Sequence, residues 1–133
     1  MIGLTRMLPA LLATQAAAPF AFQTTPHTVA EFLAQADALL LSGHETAGST
    51  AQADAIRSAI QQAAMAYRSS LAEAALRGEP AASCPPPPGQ AQLSLADISD
   101  DLRAFPQAHR SMPLDTAFAL VMTLRYPCQR EVK

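Results

Sequence analysis

Two cysteines, three histidines and a cluster of aspartates are the residues of this chain whose types lend themselves to chemistry. Cys84 stands in Ser83-Cys84-Pro85-Pro86-Pro87-Pro88 and Cys128 in Tyr126-Pro127-Cys128, so each cysteine is set against proline. A cysteine nucleophile requires a free thiolate beside a basic partner, and neither setting supplies one. In an oxidising compartment two cysteines allow one intramolecular pairing, Cys84 with Cys128. Two unrelated free thiols are the alternative. Closing a loop of about 45 residues restricts the unfolded chain by about 4 kcal/mol in the loop-entropy account. Against net stabilities of roughly 5–15 kcal/mol, that decides whether a small domain folds.

The histidines offer less. His27, His44 and His109 fall in segments that read as loops or linkers. Gly43-His44-Glu45 has no second histidine four residues on, so it does not make a zincin helix. No cysteine–histidine spacing suits structural zinc. Asp97, Asp100 and Asp101 lie near the start of a predicted helix, where negative charge complements the helix dipole. They read as a solvated face rather than a metal site. No Gly-x-Ser-x-Gly elbow, phosphate-binding glycine loop or dinucleotide fingerprint occurs in the sequence. The expectation is therefore a protein that is not an enzyme, with no catalytic, cofactor-binding or metal-binding residues.

The elements that would carry these residues read as helices. At 133 residues the chain is long enough for one domain with a modest core. Half of it is hydrophobic, but alanine supplies much of that share and tryptophan is absent. Alanine-rich helices can approach closely, whereas the β-branched runs of strands are missing. The predicted fold is all-α: a small bundle of about four helices with a C-terminal hairpin closed by one disulfide.

Thr28-Val29-Ala30-Glu31 has the form of a capping box. It opens a first helix with Val29, Phe32, Leu33, Ala36 and Leu40 on its apolar stripe, ended by Ser42-Gly43. A polar loop spans Ser42 to about Ser49. The longest helix is predicted from about Thr50 to Arg77, with Ala53, Ile56, Ile60, Ala63, Tyr67, Leu71 and Ala74 inward. Glu73 and Arg77 form a favourable i,i+4 pair, while Gly78 and Pro80 stop the helix. Residues 79–93 are a proline-rich connection, read as a stiff spacer in preference to a docking ligand. Ser94 and Asp97 make a second capping box for a helix bearing Leu95, Ile98, Leu102 and Phe105, stopped by Pro106. A fourth helix begins near Pro113, buries Leu114, Ala117, Phe118, Val121 and Met122, and ends at Pro127.

Residues 1–21 have the layout of a secretory signal peptide: Arg6, the apolar run Met7 to Ala18, then small residues. Cleavage falls between Ala16 and Ala21, with Ala17, Ala18 and Ala21 all arguable. An uncleaved anchor or an ordinary buried helix is the alternative, but a span needs roughly 20 apolar residues and Pro9 and Pro19 interrupt this run. The predicted organisation is a signal peptide at 1–21, a linker at 22–27, a helical domain at 28–128 and a tail at 129–133. No membrane span is expected after cleavage, and the expected compartment is the periplasm. Net charge is −2, and Lys133 is the only lysine. Without a basic block nothing supplies the phosphate neutralisation on which nucleic-acid affinity rests, so nucleic acid is excluded as a partner.

The segment from Cys84 to Cys128 resembles the Rap/Tai family of small periplasmic immunity proteins. The likeness lies in Cys84-Pro85-Pro86, Leu93-Ser94-Leu95, Phe105-Pro106, Pro113-Leu114-Asp115-Thr116-Ala117-Phe118 and Tyr126-Pro127-Cys128. Upstream, Thr28 to Leu40 and Ala63 to Leu71 match as helix pattern. Family members protect bacteria from peptidoglycan-cleaving amidase effectors delivered by type VI secretion. The resemblance implies a binder that occludes the amidase cleft, often as a homodimer, with Ser42–Ser49 or Gln107–Met112 as the inserting segment. The rival expectation is a periplasmic or envelope-associated structural or interaction protein of the same fold, with no effector partner.

Overall fold

The computed structural model describes residues 24–43, 50–90 and 92–129. Within them four α-helices follow one another: α1 Val29–Ser42, α2 Ala51–Leu76, α3 Leu95–Arg103 and α4 Leu114–Arg125. A single 3-10 turn, Gln107–His109, lies between α3 and α4. No strand occurs among the described residues; the one bridge pairs Thr28 with Pro113. The all-α architecture and the Cys84–Cys128 disulfide are as the sequence predicts. The signal-peptide segment, the linker as far as residue 23, and residues 130–133 of the tail lie outside the described residues.

Local signals place the helix ends. Thr28 Oγ1 accepts the Glu31 N–H at 3.2 Å, and Glu31 Oε2 accepts the N–H of Thr28 at 3.2 Å and of His27 at 2.8 Å. Each bond satisfies a donor that the helix itself leaves unpaired. Ser94 and Asp97 do the same at α3, with bonds of 3.1 and 2.9 Å. Thr50 caps α2 through the Ala53 N–H at 3.1 Å. At the far end of α2, Gly78 takes φ +68°. That lets its N–H reach Ala75 O and the Glu79 N–H reach Ala74 O, the paired bonds of a Schellman motif.

The core is narrow and alanine-lined, as composition requires. Phe32, Val29, Ala36, Leu102 and Ala117 are fully enclosed, and Ala53, Ala59 and Ala63 present small side chains along α2. The most extensive packing is α4 along α2, with α1 set against α3 and α2. Two details of the predicted stripes differ. Leu39, not Leu40, is buried on α1, because Leu39 shares a recess with Ala53 and Ile56 where the first turns of α2 approach. On α2, Ala55 and Ala59 join the buried set while Ile60, Leu71 and Ala74 are half-covered. The helix has 26 residues against 12 in α4, so its last turns lack a full partner.

The three aspartates are less uniform than a solvated face. Asp97 is a cap. Asp100 pairs with Arg103 at 2.8 Å. Asp101 is half-buried and ion-paired with Arg125, joining α3 to α4. Arg103 also reaches Asp37 on α1. The two bridges between helices depend on partners distant in sequence. Arg77, for its part, holds Glu79 at 2.8 Å more closely than Glu73 at 3.9 Å.

Candidate binding notch

The segment Gln107–Met112, a polar stretch in sequence, is firmly held in the structure. Its first three residues form the 3-10 turn, with the His109 N–H on Pro106 O at 2.8 Å. Arg110 folds back, donating from Nη2 to Arg103 O at 2.8 Å and from Nε to Phe105 O at 3.2 Å. Arg103 is the last residue of α3 and Phe105 lies two residues past it, where carbonyls lack helical donors. A cation there also complements the dipole.

The same segment is tied to the start of α1. Arg110 O accepts the Ala30 N–H at 2.8 Å and Met112 O accepts the Val29 N–H at 3.2 Å. The Leu114 N–H in turn reaches His27 O at 2.8 Å. Unpaired donors of one helix start are thus satisfied by backbone carbonyls of the loop that leads into another. Sequence reasoning did not anticipate this junction, because no local pattern marks it.

Between the two lies a notch of about 560 Å³, lined by Thr28, Ala30, Glu31 and Leu33 on one side and Gln107, Arg110 and Ser111 on the other. Glu31 is solvent-exposed, and the backbone N–H groups of His27 and Thr28 hold its carboxyl below the usual range. It therefore stands ionised near neutral pH. Its Oε2 is committed to the cap, and the Nε and Nη2 of Arg110 are committed to backbone carbonyls at and just past the end of α3. What the notch presents to a visitor is shape, the Glu31 Oε1, the exposed Gln107 and Ser111, and backbone that cannot easily shift.

The other sequence candidates are dispersed. His27 lies exposed beside Asp115 on the far side of the bridge, in a recess of about 250 Å³. His109 is exposed at the end of the 3-10 turn. His44 and most of the loop Ser42–Ser49 lie outside the described residues. No group of acids, histidines and cysteines able to hold a metal ion occurs among the described residues. None of their helices is long and apolar enough to cross a membrane.

Cys84 and Cys128 close the other end of α4, their Cα atoms 4.8 Å apart. Beside the bond, the Cys84 N–H donates to Tyr126 O at 2.8 Å. Ser83 is buried, and its hydroxyl shares a hydrogen bond with the Tyr67 hydroxyl. The Tyr67 ring meets Phe118 edge-on at 6.2 Å. α2, the proline-rich connection and the end of α4 are thereby fastened at one place. No protein-family model, no curated protein and no solved structure matches this chain.

Proposed function

We propose that this chain is an exported periplasmic protein that acts by stoichiometric binding, in the manner of the immunity proteins that neutralise peptidoglycan amidase effectors. It performs no chemistry and requires no cofactor. The observation that carries this reading is the fixed segment Gln107–Met112. Its 3-10 turn, the Arg110 clamp and the bonds to Val29 and Ala30 hold a polar edge in one conformation before any partner arrives. An edge ordered in advance loses little entropy on binding, which suits a segment that enters another protein's cleft. The residues of the Rap/Tai likeness also converge, since Cys84-Pro85-Pro86 and Tyr126-Pro127-Cys128 meet at the disulfide. Leu120 and Leu124, exposed one turn apart on α4, offer an apolar edge for a second copy.

The test is a pull-down with the tagged chain spanning residues 22–133 from its host's periplasmic extract under non-reducing conditions. The expected result is an amidase recovered in equal amount and inhibited by the purified domain. Recovery of envelope components alone, with no inhibition, would replace this reading with a structural envelope protein of the same fold. Light scattering of the purified domain reports whether it is a dimer.

A further inference from the structure

Among the described arginines, Arg57, Arg77, Arg103 and Arg125 hold carboxylates and Arg110 holds backbone carbonyls. Arg68 alone among them has neither a hydrogen bond nor an ion pair. It stands at the edge of an apolar socket of about 200 Å³ where α2, α3 and α4 meet. Ile60, Ala64, Leu93, Ile98, Phe118 and Met122 line that socket. Tyr67 contributes its ring, because its hydroxyl is engaged by Ser83. No acidic residue lines the socket, so nothing within it neutralises the guanidinium.

Size and charge together select the occupant. Sites for whole ligands run to roughly 300–1,000 Å³, so this socket suits one large side chain and not a complete acyl chain or cofactor. Such pockets are where protein partners place apolar anchors. Ala64 and Arg68 are one helical turn apart, which puts their Cβ atoms about 5–6 Å from each other. Within a C-terminal residue, the free carboxylate and the side chain are separated by a similar span. A guanidinium fork also fits a carboxylate in two-pronged geometry. We propose that the socket and Arg68 together form a recognition site for the C-terminal residue of a partner polypeptide. A large apolar side chain fills the socket and the terminal carboxylate lies on Arg68.

This proposal is independent of amidase inhibition. The test records methyl shifts of Ile60, Ile98 and Met122 by NMR in the chain spanning residues 22–133, which keeps the His27 bonds to Glu31 and Leu114. The titrants are N-acetyl-phenylalanine, its C-terminal amide, N-acetyl-glycine and N-acetyl-aspartyl-phenylalanine amide. The expected result is saturable shifts at these methyls with N-acetyl-phenylalanine, at a Kd on the order of 1 mM. The amide should bind at least about threefold more weakly, as loss of an exposed charged contact implies. N-acetyl-glycine should leave the methyls unmoved. Arg68→Gln, at an exposed position, should keep the fold and erase the advantage of the free acid. Ala64→Leu should fill the socket and abolish the shifts. Shifts confined to other methyls, equal binding of acid and amide, or an unaltered preference in Arg68→Gln would each overturn the proposal. Binding of the aspartyl amide as tight as the free acid would also overturn it, showing that an internal acid serves.

Discussion

The Tyr67 and Ser83 hydroxyls share a buried hydrogen bond one residue before the disulfide at Cys84. Tyr67 belongs to the middle of the long helix and Ser83 to the proline-rich connection that returns from it. A buried hydroxyl without a partner costs about 1–3 kcal/mol, whereas removing both members of a pair can be nearly neutral. Tyr67→Phe should therefore lower the unfolding free energy by about 1–3 kcal/mol in urea titrations. Ser83→Ala should fall in the same range. The double variant should be less destabilised than the two singles summed, and simple additivity would mean the hydroxyls are not coupled.

Ser99 presents the opposite case. It lies inside α3 with no exposed surface, and its hydroxyl has no hydrogen-bond partner. Ser99→Ala removes that cost and improves helix propensity by a few tenths of a kcal/mol. The variant should be more stable than the parent by about 1 kcal/mol, read as a higher urea midpoint at unchanged slope. A lower midpoint would show that the hydroxyl has a partner in solution.

The disulfide should carry a large share of stability. Replacing both Cys84 and Cys128 by alanine should lower the unfolding free energy by up to about 4 kcal/mol. Dithiothreitol acting on the parent should reproduce that loss. Calorimetry with and without reductant, compared with the double variant, separates the covalent link from any effect of the alanine side chains.

Acid should act through the two caps. Backbone and side-chain donors at His27 and Thr28 lower the Glu31 carboxyl, and Ser94 lowers that of Asp97. In mild acid the folded chain consequently binds fewer protons than the unfolded one. The stabilisation is complete above the unfolded values near pH 4 and is lost as pH falls through the lowered folded values. Urea midpoints measured from about pH 6 to pH 2 should fall less steeply in Glu31→Gln/Asp97→Asn than in the parent.

What could be read in advance depended on how near the partners lie in sequence. Thr28-x-x-Glu31, Ser94-x-x-Asp97, Gly43 and Gly78 act within one helical turn, and the helices begin and end accordingly. The cysteine pairing was legible because two cysteines leave one choice. Asp101 with Arg125, Arg103 with Asp37, and Tyr67 with Ser83 join separate elements. No periodicity announces which polar side chains will meet when helices pack. The burial of Leu39 in place of Leu40 has the same origin, since it depends on the direction from which α2 arrives. For the notch, the polar character of Gln107–Met112 was visible, but its placement against Val29 and Ala30 was not.

That placement has a consequence for the order in which the chain can fold. The N–H groups at the start of α1 find their acceptors on Arg110 and Met112. A polypeptide made, and on the proposed reading threaded across a membrane, from its N-terminus presents α1 long before those carbonyls emerge. Closing so wide a loop comes late and is slow compared with forming the local turns. The first helix of the domain is therefore among the last to be finished, and the domain becomes complete only after nearly all of the chain has emerged.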